Sequence, residues 1–369
     1  MLLARHFSAF SGTAIFFSEI CGKINHAQPI LSTKMKQLDA SEFQRNLFRQ
    51  IIVLQGEKSA ISHLCDILHL NKSSVYSRVK GEKLLRADEL LLLASTFSIS
   101  IDEHLFNGRG VIPFQFDFLE APVQNCRQYL EKTLASFDLF KGVPDLRVWF
   151  LVNALPFFHH MNFKELALFK AFAYARINWQ LPYTEGLVFH PDTFPERDLY
   201  EKLMKPILER YTAIQTIEFW PDELFHTTLR QIHYFTHSGQ LTDQVLISTL
   251  LEQLEALCEH QYEMAKKGRK WVYGDKFGKE AGNGGKFDLY HNEIAPLNIS
   301  LLAESQHVRG VFTVFDDPNF MFSNSATLYQ YTFDWMQKLK SKCQHISEDG
   351  ERNRRAYFNA LRKSIPKAL

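Results

Sequence analysis

The chain has 369 residues, of which 46% are hydrophobic and 22% charged. That balance excludes a disordered or membrane-embedded protein, and the length allows two or three folding units. A formal net charge of +1 means that any nucleic-acid site has to be a local basic face on a neutral body. Cys21, Cys65, Cys126, Cys258 and Cys343 are scattered without a CxxC pair and read as reduced thiols. With no apolar run of about 18 to 20 residues, this predicts a cytoplasmic protein with no membrane partner.

Residues 1–34 are expected to be an unstructured or spurious extension. Arg5 precedes an apolar stretch, Phe7 to Phe17, that imitates a secretory leader but is broken by serines and Gly12. Met35 opens MKQLDASEFQRNLFRQII, a polar lead followed by an amphipathic helix. In that helix Phe43, Leu47, Ile51 and Leu54 recur at helical spacing, Asp39 and Ser41 are available as caps, and Gly56 is the stop.

The segment from Ile61 to Phe106 carries the chemistry. Ala60, Ile61, Leu64 and Cys65 form the inner face of one short helix, and His69 occupies the following turn, where a positive φ is expected. Leu70 plugs the core, Asn71 caps a second helix, and Val75 and Val79 turn inward at i and i+4. Lys72, Ser73, Tyr76, Ser77 and Lys80 are thereby left outward. From Asn71 to Arg86 the basic residues are Lys72, Arg78, Lys80, Lys83 and Arg86 against the single acid Glu82, a local charge of five minus one, +4. Gly81 fits a helix C-cap. Asp88 starts a further helix packed through Leu90, Leu91, Leu93, Ala94 and Phe97, and Ile99, Ile101, Leu105 and Phe106 close the bundle.

The run from Leu64 through the turn, Val75, Gly81, the leucine-rich helix and the closing ISIDEHLF resembles the Cro and phage-repressor class, the xenobiotic-response-element family of lambda-repressor-like helix-turn-helix domains. The resemblance covers residues 36–106 and implies a compact helical domain that binds double-stranded operator DNA, usually as a homodimer. Carried onto this sequence, the DNA-contacting residues are Asn71, Lys72, Ser73, Tyr76, Ser77, Lys80 and Lys83. One departure is that Arg78 stands three residues before Gly81, where the family places a core residue, so the second helix is expected to be rotated or lengthened by one residue.

Residues 107–115, with Gly108, Gly110 and Pro113, read as a linker after the 35–106 domain. Residues 116–273 are expected to be a helical middle domain. Its helices are lined by Val123, Cys126, Leu130, Leu134 and Phe137 and by Phe163, Leu166, Phe169 and Phe172, and others run over 197–211 with a kink at Pro206, over 222–237, and over 243–267 with Thr242 as cap. The glycine-rich stretch 274–286 reads as a loop. Residues 287–369 then form a small α+β module, with strands at 287–294, 298–302 and 308–315 and helices at 326–343 and 349–363. The expected fold class is therefore mainly α: a lambda-repressor-like helical bundle, a helical middle domain and a small α+β C-terminal module.

Other constellations carry less. His159 and His160, and His226, His233 and His237 at spacings of seven and four, have the residue type of metal ligands but no convergent carboxylate or cysteine, so hydrogen-bonded histidines are expected. Gly284, Gly285 and Lys286 lack both the earlier glycine and the following Ser/Thr of a phosphate loop. The last helix, basic through Arg352, Arg354, Arg355, Arg362 and Lys363, reads as a solvated helix docked by Tyr357, Phe358 and Leu361. No catalytic set, cofactor or metal is expected. The function expected is a transcriptional regulator whose C-terminal region dimerises or senses a small-molecule or protein effector. The alternatives are a protein-interaction adaptor of the antitoxin kind, or an enzyme or receptor fused to a DNA-binding module.

Overall fold

A computed structural model describes residues 39–97, 99, 101, 112–116, 125–282, 284–293, 300–305, 309–316 and 319–367. The expected extension over 1–34, the linker glycines and the closing residues 102–106 lie outside them. The chain divides into two compact units, Met1–Val111 and Ile112–Leu369.

In the first unit, α1 (Ala40–Gln55), α2 (Glu57–Leu68), α3 (Lys72–Val79) and α4 (Ala87–Thr96) follow one another through short turns. Asp39 starts α1 by accepting the Ser41 N–H at 2.9 Å, and Gly56, at φ 77°, both ends α1 and precedes α2. Leu47, Phe48 and Ile51 of α1, Ala60, Ile61, Leu64 and Leu68 of α2, Val75 of α3 and Leu93 of α4 form one buried cluster with Ile99. α2, α3 and α4, of 12, 8 and 10 residues, are too short to be stable alone, so this shared core is what holds them.

The second unit is built on one seven-stranded sheet: β1 (Arg147–Leu151), β2 (Gln215–Trp220), β3 (Phe287–His291), β4 (Ser300–Glu304), β5 (Arg309–Asp316), β6 (Asn319–Ser323) and β7 (Gln344–His345), in the order β6-β5-β4-β1-β2-β3-β7. Strands β1, β2 and β3 are parallel, and the other pairings are antiparallel. Parallel neighbours need long crossovers. The first carries α6 (Phe157–His160), α7 (Lys164–Ala173) and α8 (Lys205–Ala213); the second carries α9 (His226–His237), α10 (Gln244–Lys267) and α11 (Lys276–Ala281). Ahead of the sheet lies α5 (Cys126–Leu139), and after β6 come α12 (Ala326–Lys340) and, beyond β7, α13 (Glu351–Ser364).

Side chains alternate across the strands. Val148, Phe150, Trp220, Phe287 and Leu289 join the large core shared with α5 to α10 and α13, whereas Trp149, Leu151, Ile217, Phe219 and Tyr290 pack on Tyr329, Met336 and Leu339 of α12. Both faces of the sheet are thus covered. The outer edge of β6 meets Gln115, whose N–H and C=O both bond Phe322.

Helix predominates, as expected, but the expected partition of the second unit does not hold. Residues 116–273 are not an all-helical domain, because they supply β1 and β2 to the centre of the sheet that 287–345 completes. RVWFL and QTIEFW are buried on both faces, so they lack the alternation that marks a half-exposed strand. Asp243, not Thr242, caps α10, accepting from Val245 and Leu246 N–H at 2.8 and 3.2 Å. The glycine-rich stretch holds the short α11, capped by Asp275, and NFMFS forms the additional strand β6. At Pro206 the helical run continues unbroken from Leu199 to Ala213, and the widened π-helical turn Tyr200–Met204 stands directly before the proline, where the α-helical ladder lacks a donor. No helix among the described residues is long and apolar enough to cross a membrane.

Candidate DNA interface

Helices α2 and α3 are joined by a tight turn at His69, whose φ of 52° is the left-handed conformation that closes α2. The His69 N–H bonds back to Cys65 O, and the Leu70 N–H reaches the same oxygen at 3.1 Å. Leu70 and Cys65 are half-buried against the core. Asn71 Oδ1 accepts the Ser74 N–H at 2.9 Å and starts α3. Val75 then fixes the helix by full burial.

On the opposite side, Ser73, Tyr76, Ser77 and Lys80 fall at i, i+3, i+4 and i+7. Ser73 and Lys80 are exposed, Tyr76 is 41% exposed and Ser77 is half-buried. Asn71, Lys72 and Lys83 flank that face and are exposed. The seven residues singled out from sequence therefore lie along one short helix and its two ends. At 1.5 Å per residue, α3 is roughly 12 Å long, a length that fits three to four base pairs of major groove.

The charge pattern needs correction at Arg78. This side chain is 4% exposed and points into the bundle, where its Nε and Nη2 donate to Glu89 Oε2 and Oε1 of α4 at 3.1 and 2.8 Å. Val79, expected inward, is only half-buried because Arg78 holds the inward place one residue earlier. The two-pronged pair replaces an apolar knob by a charged one that is fully bonded, which fixes the rotation of α3 against α4. Burial alone would raise the Glu89 carboxyl, yet the hydrogen bonds from Arg78 and the Arg86 N–H hold it below the ordinary glutamate value. The outward cations are then Lys72, Lys80 and Lys83, together with Arg86, which pairs with Asp88 at 2.7 Å.

Two residues of α1 complete the arrangement and were not singled out by sequence. Gln44 is buried and its amide spans the loop after α3: Nε2 donates to Arg78 O at 2.6 Å and Lys83 O at 2.8 Å, and Oε1 accepts the Leu85 N–H at 2.6 Å. Three backbone groups of the turn are satisfied by one side chain. Arg45, exposed on the same helix, lies beside Gly81, where an added Cβ would come within 3.1 Å of its Nη1 and 3.3 Å of Ser41 O. Gly81 has φ 79°, so both its conformation and its close approach to α1 demand glycine. The only sequence signal for Gln44 was a polar residue at the edge of an apolar stripe, which carries no partner information.

The second unit places the remaining constellations. His226, His233 and His237 are exposed on α9, and no group of three His, Cys, Asp or Glu among the described residues could hold a metal ion. They are solvated, and His226 Nδ1 lies 3.2 Å from Glu223 Oε2. His159 and His160 sit on α6, both fully buried. His160 Nε2 lies 3.0 Å from Thr228 Oγ1. His159 Nε2 lies 2.8 Å from the Tyr211 hydroxyl, which donates to Glu218 Oε1 at 2.6 Å, while Trp220 Nε1 donates to Glu218 Oε2 at 2.9 Å. The buried ammonium of Lys270 donates to Tyr211 O at 2.8 Å and lies 3.9 Å from the centre of the Tyr211 ring.

Burial opposes the charge of Glu218, but bonding from His159 and Tyr211 and the nearby Lys270 charge hold its carboxyl down at about 2. Burial pushes the Lys270 ammonium down to about 7, against the pull of Glu218. Gly284 and Gly285 press against the backbone of Lys270 and Ile214, with no room for a Cβ, which accounts for the glycine pair without a phosphate. In α13, Arg354 is buried and donates to Glu348 O at 2.9 Å, and Arg362 pairs with Glu259 at 2.5 Å, so part of the basic helix serves docking. No family model matches the chain, and neither a curated protein nor a solved structure matches it.

Proposed function

We propose that the chain is a cytoplasmic, sequence-specific regulator of transcription that inserts α3 into the major groove of double-stranded DNA and acts as a homodimer. One observation carries this reading: α3 turns Val75 and Arg78 into its own bundle and leaves Ser73, Tyr76, Ser77 and Lys80 outward along one line. Any helix packed on a core keeps its outer face polar, but this one carries hydroxyls and lysines with no acid along its length, the residue types that suit phosphate and base edges.

The roles follow from residue chemistry. The N-terminal end of α3, with Asn71 and Ser73, favours phosphate oxygens and base edges, since backbone N–H groups and the helix dipole point there. Ser77 and Tyr76 suit base edges and the thymine methyl. Lys72, Lys80, Lys83 and Arg45 are placed for phosphates, which supply affinity without sequence. One eight-residue helix reads too few base pairs for specificity, so two copies on a two-fold related site are required. The second unit then provides dimerisation or response to a signal.

Selection of the full chain against a pool of randomised duplexes tests this. A short recurrent motif arranged as an inverted repeat is the expected outcome. Recovery of no motif, with retention independent of salt, refutes the reading.

A further inference from the structure

Helix α9 turns two imidazoles to solvent one helical turn apart. Thr228, Ile232 and Phe235 bury its inner face, where the Phe235 ring meets those of Phe172 and Phe169 at 4.9 and 5.9 Å between centres, so the helix is firmly seated. Its outer face carries His233 and His237, both exposed, with ring centres 4.8 Å apart and ring planes at 83°. Among the described residues no carboxylate pairs with either ring, whereas His226, two turns earlier on the same helix, lies beside Glu223.

The spacing is that of a chelate. Residues four apart on a helix stand one above the other, and His-x3-His is the arrangement by which zinc-binding helices present two ligands. With metal–nitrogen bonds of about 2.0 to 2.1 Å, two imidazoles on one cation hold their ring centres about 4.5 to 5.3 Å apart, for angles between roughly 90° and 109°. The 4.8 Å found here falls inside that interval, so coordination asks only for rotation of two exposed side chains about their own bonds. No third His, Cys, Asp or Glu joins the pair among the described residues, which excludes a closed site of four protein ligands and leaves positions for water. Tyr234 stands where metalloprotease helices carry a glutamate, so the pair is a binding site and not a hydrolytic one.

We infer that His233 and His237 together chelate one divalent transition-metal cation of the zinc and copper class on the outer face of α9, in a site completed by water. Imidazole nitrogen selects these cations over magnesium and calcium, which take oxygen ligands. The site belongs to the second unit and is independent of DNA binding by the first.

The test is calorimetric titration of the full chain, stripped of metal by a chelator that is then removed, with ZnCl2, CuCl2 and MgCl2. Cu²⁺ is expected to bind more tightly than Zn²⁺, the ordinary order for a nitrogen site, and Mg²⁺ not to bind there. His233→Ala and His237→Ala, at exposed helical positions where alanine is well tolerated, are each expected to weaken one equivalent of Zn²⁺ at least about tenfold, the loss that follows even from removing a residue that merely orients a ligand. The double variant is expected to match either single one, because one imidazole alone does not chelate. His226→Ala is expected to change nothing. Absence of any Zn²⁺ or Cu²⁺ equivalent that responds to positions 233 and 237 overturns the inference. Equal weakening by His226→Ala does so too, since it means diffuse binding to exposed histidines, as do additive losses in the double variant, which mean two separate single-histidine contacts.

Discussion

The Arg78–Glu89 pair predicts a double-mutant cycle with an unusual sign pattern. Arg78 is 4% exposed and the Glu89 side chain 13%, so each charge depends on the other for most of its solvation. Removing one partner from such a pair costs about 3 kcal/mol, the low end for buried pairs because Glu89 keeps some contact with water. Glu89→Leu strands a guanidinium among Val75, Leu93 and their neighbours, and Arg78→Met strands a carboxylate beside the Arg86 N–H. The double variant strands neither, and replacing a buried pair by apolar groups is often close to neutral. Each single change is therefore expected to lower the stability of the first unit by about 3 kcal/mol, and the double change by far less than the sum.

All five tryptophans, Trp149, Trp179, Trp220, Trp271 and Trp335, lie in the second unit, so their emission does not report on this pair. Hydrogen exchange of peptides covering α3 and α4 in the full chain does, and about 3 kcal/mol corresponds to roughly a hundredfold faster exchange. Single changes that cost less than about 0.5 kcal/mol and add in the double variant would mean a solvated surface pair and would refute the anchoring of α3 described above.

Gln44→Ala strips the partners from Arg78 O, Lys83 O and the Leu85 N–H, so a loss of about 2 kcal/mol is expected, with faster amide exchange concentrated in residues 78–85. Uniform exchange across the bundle would contradict that assignment. Gly81→Ala meets both a φ of 79° and the Ser41 and Arg45 contacts, and is expected to destabilise the first unit by about 1 to 2 kcal/mol in urea unfolding followed by circular dichroism. In the second unit, the folded-state value of Glu218 lies below its unfolded value. Its contribution to stability is present above the ordinary glutamate range near 4.5 and is lost as pH falls toward about 2. Glu218→Gln is expected to flatten that acid loss in the tryptophan-monitored unfolding midpoint, and an unchanged acid limb would refute the assignment.

The first unit was legible because its helix signals are local. Asp39, Gly56, His69, Asn71 and Gly81 each act on their own few residues, and each takes the role its side chain suggests. The Arg78 pairing was not legible, because a charge at a core position is explained only by a carboxylate eleven residues later on another helix. Gln44 is similar: its three partners lie 34 to 41 residues away. In the second unit, β1 and β2 escaped because strands buried on both faces carry no period, whereas β3, β4 and β5 were visible through the turn residues that separate them. The buried cluster brings His159 and Lys270, 52 and 59 residues away from Tyr211, to the neighbouring pair Tyr211 and Glu218, and no spacing rule can foresee such a meeting.

The central claim is that α3 reads DNA with its outward line, and the dependence of affinity on salt and sequence tests it most directly. Binding of the full chain to its selected duplex and to a scrambled one is measured by fluorescence anisotropy across a salt series. Lys80→Ala is expected to weaken both duplexes alike and to reduce the slope of log K against log salt by about 0.9, the loss of one phosphate contact. Ser73→Ala is expected to leave that slope unchanged while narrowing the difference between the duplexes. If both variants bind both duplexes as the parent does, α3 is not a reading helix and the regulator account fails.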